Sequence, residues 1–553
     1  MKPELNLMYL KQKLNKGETL EFFKYCRSKY LSKRKLAGSL NKNNLFEKVL
    51  EEIGSVLKIK PEELWGSQTF QLLFRATKPE DLEILGIDKK SVEESKKSVD
   101  SGRAMSLLPY NSIMSETTIR KFIPSRSEKF SGNWRHSMDP YGVFEIEGRI
   151  LAKDKERKEI YLATRKFPYA VLVNITESCP IGCDGCYKGS MVRTSLVALA
   201  NVYPEYAEIK KQLTLEQKRA VQQIRLLTKW LNQNQEVDTI VFSGGEPTLF
   251  DNDAIKKILD ELKKAKYVKV VRMCTSAIFQ GLWYRIDDKL VKIFADFEKE
   301  TGKQFYINAH VTDEYQLSAP EAKIAIDKLN TNGITIHLQM PLQEGINFKR
   351  SNLAWSVEKL RKISKQAYVV GVIPYKLIID MHSSSHPDLT VPIEMVTKAI
   401  SFLDSHTENS DMERWQAYNI LHEQGNLYLA SYPHFSAVKE IDKENRRVIY
   451  FIPKIEFGDK KKIIIHTYEE PLIENCNDNP NSLNIIADKD ILGKINEVKR
   501  YYLLLKNKIR ELEKSNLTFE EKAKEIGKIE REFYKNSGVI FPDNKSVHLC
   551  EDY

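Results

Sequence analysis

Cysteine is scarce in this chain, with seven among 553 residues, at positions 26, 179, 183, 186, 274, 476 and 550. An odd number with three clustered argues against a disulfide framework. It points to a reducing compartment and a single metal site. Long apolar runs are absent too. No stretch of about 18 consecutive apolar residues occurs, so no membrane span is expected. The opening MKPELNLMYLKQKLNKGETLEFF has neither an apolar core nor a small-residue cleavage site, so no secretory signal is expected. Neither charge sign dominates. There are 86 Lys and Arg against 76 Asp and Glu, a net charge of +10. The basic residues are dispersed, which argues against a nucleic-acid partner. No 20–50-residue repeat and no low-complexity segment appears. From these absences a cytoplasmic protein is expected, with no membrane and no nucleic-acid partner.

What is present is enough apolar sequence to fold, 42% hydrophobic against 29% charged. The length exceeds what one core serves. Residues 1–110 read as a helical N-terminal region, where Leu45, Val49, Ile53 and Leu57 recur on one helix face. Residues 111–168 form an irregular segment with one hairpin expected at Glu147-Gly148. From 169 to 432 apolar runs alternate with amphipathic helices. The runs are AVLVNI, TIVFSGG, VKVVRMCTS, FYINAHV, ITIHLQM, YKLIID and LYLASY. Ile255, Ile258, Leu259 and Leu262 share a helix face, as do Ala322, Ala325, Ile326 and Leu329. Thr214…Gln217 and Ser318…Glu321 fit capping boxes at helix starts. Near-continuous apolar strands alternating with helices imply an α/β fold with a parallel sheet. The expected architecture is a partial or closed (β/α) barrel with helical N- and C-terminal extensions. Its site should lie at the C-terminal ends of the strands. Residues 433–487 read as a β-containing extension, and 488–553 as C-terminal helices and a tail.

The stretch NITESCPIGCDGCYKG carries Cys179, Cys183 and Cys186 directly after the first barrel strand. Three thiolates so close can each ligate one iron of a [4Fe–4S] cube. No fourth cysteine is near, so the fourth iron would be open. A structural zinc usually takes four protein ligands and a second knuckle, and neither follows here. Three core cysteines are the other alternative, but Pro180, Gly182, Asp184 and Gly185 mark a loop. One β/α unit later, Ser243-Gly244-Gly245-Glu246-Pro247 ends the second strand. The two glycines permit close backbone approach, and Glu246 with the backbone carbonyls could accept hydrogen bonds from an ammonium group.

A CxxxCxxC loop after strand one with GGEP after strand two resembles the radical S-adenosylmethionine superfamily. The resemblance implies that S-adenosylmethionine chelates the open iron and is split to a 5′-deoxyadenosyl radical, which abstracts a substrate hydrogen. It implies that Ser243, Gly244, Gly245, Glu246 and Pro247 hold the methionyl end. Tyr187 stands in for the aromatic residue that usually precedes the third cysteine, where this chain has Gly185.

Over roughly residues 115 to 455 the chain is similar to the lysine 2,3-aminomutase-like branch. RKFIPS and GVFEIEGRI resemble that branch's segment before the barrel. VRMCTSAIFQGLWYRIDD implies cofactor contacts for Ser276 and Arg285. In LNTNGITIHLQMPLQEGIN, Gly333, Gln339, Leu342, Gly345 and Asn347 fall at family positions, with Gln339 implied near the adenosyl group. VIPYKLIID matches Asp380 to an acid that grips a substrate ammonium. Lys188 keeps a positive charge where the family has an arginine-rich run, a position that suits a substrate carboxylate. An insertion at about 190–213 follows it.

The branch's pyridoxal-phosphate motif is degraded. LYLASYPHFSAVKEIDK retains Pro433 and Lys439 but lacks the glycines a phosphate needs, and Ser431 replaces the acid. Lys439 is a candidate for a pyridoxal lysine, with another lysine as the alternative. The resemblance thus implies a [4Fe–4S] cluster and S-adenosylmethionine as cofactors, with pyridoxal phosphate in doubt. It implies an amino acid or related small substrate and a reductant such as flavodoxin or ferredoxin. A pyridoxal-dependent aminomutase, a peptide-modifying maturase and a non-catalytic iron–sulfur module are the rivals. The terminal helices leave a homo-oligomer open.

Overall fold

The computed structural model describes residues 42–122, 160–186, 202–379, 389–406, 415–428, 437–479 and 489–529, with short interruptions. The hairpin expected at Glu147-Gly148 lies outside the described residues.

Nine strands form one sheet whose spatial order follows the chain. They are β1 (Ala163–Phe167), β2 (Ala170–Thr176), β3 (Thr239–Gly244), β4 (Val270–Thr275), β5 (Gln304–His310), β6 (Thr335–Leu342), β7 (Ile373–Ile379), β8 (Ala417–His422) and β9 (Gly425–Tyr428). Strands β2 to β8 are parallel to their neighbours. The two edges, β1 and β9, run antiparallel. Helices at Val202–Leu231, Asn252–Leu262, Asp288–Thr301, Pro320–Thr331, Leu353–Val369 and Ile393–His406 fill the crossovers. This is an α/β fold, a (β/α) barrel in its partial form, since β1 and β9 remain at opposite ends of the sheet.

The helices bury the faces their spacing marks. Asn252–Leu262 buries Ile255, Ile258, Leu259 and Leu262, and Pro320–Thr331 buries Ala322, Ala325, Ile326 and Leu329. Each large aliphatic contributes roughly 1.5–3 kcal/mol. Strand alternation divides the barrel. Val271, Met273, Phe305, Ile307, Ile336 and Leu338 are buried, and Phe305 stacks on Phe294 of the outer helix at 4.3 Å. The alternate set, including Arg272, Tyr306, His337 and Gln339, is partly exposed and faces the barrel interior.

Three expectations need correction. Among the described residues the last parallel strand is AYNILH at Ala417–His422, whereas Leu427 and Tyr428 of LYLASY belong to antiparallel β9. Two residues between β8 and β9 permit a hairpin, while a parallel return needs a dozen or more. Thr214 does not start a helix, because Val202–Leu231 runs through it. Ser318 closes the helix Glu314–Ser318, donating its hydroxyl to the Glu314 carbonyl. Pro320 then opens the next helix at a position that suits its fixed φ.

A second sheet joins β10 (Val438–Asp442), β11 (Arg447–Glu456) and β12 (Lys462–Pro471), all antiparallel. Period-two alternation gives β11 two faces. Val448, Tyr450 and Ile452 join the barrel's core. Ile449 and Phe451 pack instead under the helix Lys489–Glu513, against Ile491, Ile495, Val498, Tyr502 and Leu505. The charged residues of that helix cover an apolar seam.

Candidate active site

The three cysteines follow β2 on a loop that neighbouring elements hold at several points. Ser178 donates its N–H to Thr176 Oγ1 at 3.0 Å, and both hydroxyls donate to the Glu216 carboxylate of the helix Val202–Leu231. From the N-terminal side, Ser106 Oγ donates to the Pro180 carbonyl at 2.7 Å, and Gly182 N donates to the Ser106 carbonyl at 3.2 Å. A Cβ on Gly182 would stand 2.3 Å from Ser106 N, so only glycine fits.

The glycine motif is bonded to this loop. Gly245 N donates to the Thr176 carbonyl at 2.6 Å and Glu246 N to the Ser178 carbonyl at 2.9 Å. Gly244 has a φ of 117°. Side chains here would meet Thr176 O and Ser178 O at 2.2 Å each. Both glycines are therefore required by the cysteine loop's own backbone, a reason the sequence reading did not include.

Glu246 is buried and its carboxylate is fully engaged. Oε1 accepts from Thr248 N at 3.1 Å, Thr248 Oγ1 at 2.7 Å and Thr275 Oγ1 at 2.6 Å, and Oε2 accepts from Ser276 N at 2.8 Å. Burial raises its pKa and these hydrogen bonds oppose the rise. The carboxylate therefore ties β3 to the end of β4. Contacts to an ammonium would fall to the motif's backbone. Ser243 is buried beside it, and Pro247 opens a single turn that Glu246 caps. Arg285 donates to the Thr248 carbonyl at 2.7 Å and the Phe250 carbonyl at 2.6 Å, bracing the segment after the motif.

Cys179 and Cys183 are half-buried against the main core. Burial pushes both thiols up; Cys183, Glu246 and Cys186 add to this at Cys179, while the Lys121 charge acts against it at Cys183. The three thiols thus share one electrostatic neighbourhood. Among the described residues, no three His, Cys, Asp or Glu side chains converge on one point. A zinc ion needs such convergence, with all ligands within roughly 2.0–2.3 Å. A cubane takes one thiolate per iron, so its three thiols need not meet at one point.

Two neighbours had no sequence signal. Gln280 is buried with Oε1 at 3.4 Å from Cys183 Sγ, and it donates to the His310 carbonyl at 3.1 Å. Lys121 is buried within electrostatic range of Cys183 and His310. Gln339 lies on β6 opposite His310. Tyr187, Lys188 and Asp380 lie outside the described residues.

Lys439 sits apart, on β10 of the second sheet. Its buried ammonium is ion-paired with Glu394 and donates to the Asn477 carbonyl at 3.0 Å. Tyr450 and Asn477 extend the network to Glu470, each at 2.7 Å. An amine held as a paired cation is not poised to form an imine, which needs it neutral. This engagement speaks against the role matched to Lys439.

Comparison with known proteins agrees with this geometry. Residues 170–297 match a 4Fe-4S single cluster domain. An uncharacterised KamA family protein of Methanocaldococcus jannaschii is 24% identical over 57% of this chain and 46% of its own. A putative L-lysine 2,3-aminomutase of Aquifex aeolicus is 22% identical, over 57% of this chain and 79% of its own. The L-lysine 2,3-aminomutase of Methanococcus maripaludis is 25% identical, over 51% of this chain and 58% of its own. The matches to the first and third thus span about half the length of those relatives. The resemblance read from the sequence holds: the chain is similar to radical S-adenosylmethionine proteins of the lysine 2,3-aminomutase-like branch. Among the described residues, no helix is long and apolar enough to cross a membrane.

Proposed function

We propose that this chain is a radical S-adenosylmethionine enzyme acting on a small substrate, an amino acid or a derivative, without pyridoxal phosphate. The observation that carries the reading is the three-thiol loop hydrogen-bonded along its backbone to the glycine motif. When bound on Cys179, Cys183 and Cys186, a [4Fe–4S] cluster supplies the electron that splits S-adenosylmethionine to a hydrogen-abstracting radical. The protein's own part is positional. Glu216 and Ser106 fix the loop, and Glu246 locks the motif to Ser276. A small electron carrier of the flavodoxin or ferredoxin kind would deliver the electron. The engagement of Lys439 supports a reaction other than a pyridoxal-dependent amino shift.

The test is anaerobic reconstitution with iron and sulfide, then reduction with S-adenosylmethionine present. Wild type should form 5′-deoxyadenosine and Cys183→Ala should not, and neither should show a pyridoxal absorbance. Cleavage accompanied by a bound pyridoxal chromophore would favour the aminomutase reading. A wild type without cluster or cleavage would refute the proposal.

A further inference from the structure

We propose that the barrel interior contains a binding site for an oxyanion of the substrate, formed by Arg272 and Lys376 around Tyr375. The inference deepens the reading above and rests on it, since it takes the barrel interior as the place where substrate lies.

A β-bulge creates the site. Pairing between β6 and β7 passes from Leu338↔Pro374 directly to Gln339↔Lys376, leaving Tyr375 as the extra residue. A bulge breaks the alternation and re-aims side chains. Tyr375 and Lys376 therefore both address the barrel interior, with Lys376 level with Gln339. Arg272 approaches from β4, its Nη1 3.5 Å from Tyr375 Oη. The Lys376 ammonium lies 4.8 Å from the centre of the Tyr375 ring. His337 stands between Tyr306 and Tyr375, 4.9 Å from each ring.

Two cations thus share one tyrosine, and among the described residues neither has a carboxylate partner. Lys376 is only 8% exposed. A buried charge without a counter-charge is costly, and natural proteins keep one where function uses it. The surroundings repeat the pattern. Arg272 Nε, His337 Nδ1 and Asn308 Oδ1 are all buried without a hydrogen-bond partner. They lie on β4, β6 and β5, with Asn308 directly opposite His337. Burial, then the charges of Arg272 and Lys376, pushes His337 down to about 4, so it is neutral at pH 7. The net charge there is carried by the arginine and the lysine. Arg272 supplies planar donors and Lys376 a point charge, a pair suited to a carboxylate or a phosphate. Asn308 Oδ1 could accept a ligand N–H. Barrels that only need filling carry branched apolar side chains at such positions.

Isothermal titration of the full chain, with no S-adenosylmethionine present, tests the site. The probes are L-glutamate and inorganic phosphate, with cadaverine, a diamine without a carboxylate, as the cationic control. We expect glutamate or phosphate to bind and cadaverine not to, and the stronger of the two to identify a carboxylate or a phosphate as the natural group. Lys376→Met should weaken that probe about tenfold or more, while Lys376→Arg retains it. Lys376→Met should leave the urea midpoint unchanged or higher, because an unpaired buried charge is removed; a merely structural lysine would lower it. Arg272→Gln provides a second, independent loss of binding should Lys376→Met fold poorly. If neither oxyanion binds wild type, or if the variants bind as wild type does, the inference is overturned. Failure here with intact S-adenosylmethionine cleavage would sink the oxyanion site alone. Binding without cleavage would sink the enzymatic reading alone.

Discussion

Replacing Lys439 by methionine separates a structural lysine from a cofactor lysine. Its ammonium is buried between Glu394 and the Asn477 carbonyl. Methionine fills similar volume but leaves the Glu394 carboxylate buried without a counter-charge. Removing one partner of a buried pair costs about 3–5 kcal/mol. That lowers the folded-to-unfolded ratio by roughly a hundredfold or more. Urea unfolding followed by tryptophan fluorescence reads this as a clear drop in midpoint. The double variant Lys439→Met with Glu394→Met removes both charges and should recover much of the loss, since an apolar pair often replaces a buried ion pair without penalty. A single variant that costs less than about 1 kcal/mol, or one that loses a pyridoxal absorbance seen in wild type, would refute the reasoning.

Gly245→Ala should reduce iron bound on reconstitution to a small fraction of wild type, because its Cβ would stand 2.2 Å from the Ser178 carbonyl. Iron analysis beside a circular-dichroism spectrum checks that the fold persists. Glu470 predicts a pH dependence. Burial chiefly raises its carboxyl from 4.5 to about 7. The native state therefore holds a proton that the unfolded chain releases near the lower value. That contribution is fully present below about pH 4.5 and is lost as pH rises through about 7, amounting to roughly 3 kcal/mol or less. Glu470→Gln should flatten the slope of unfolding free energy across this window, and an unchanged slope would count against it.

The parts legible in the sequence were those encoded locally. The cysteine loop and the glycine motif are short runs, and six of the parallel strands are runs rich in apolar residues. The strand Ala417–His422 is missed because LYLASY, a few residues later, reads as the last strand of the barrel. Strand β1 escaped because ATRKF is polar and is strand only through pairing with β2. The interior pair Arg272 and Lys376 depends on a bulge, and a one-residue change of register is invisible until the partner strand is in place. Lys439 was a candidate for a cofactor because it matched a motif along the chain. Its partner Glu394 belongs to a different element and comes near only through tertiary packing.

The bonds from Gly245 and Glu246 to Thr176 and Ser178 have a consequence for how the protein matures. In a chain made from its N-terminus, all three cysteines emerge before the strand that shapes their loop. Until β3 docks beside β2, the thiols have no fixed arrangement, and an early metal ion would meet only a floppy segment. Cluster delivery is therefore expected after folding, onto a completed rim, and a cell that overproduces this chain without iron should accumulate a folded apoprotein ready to be loaded.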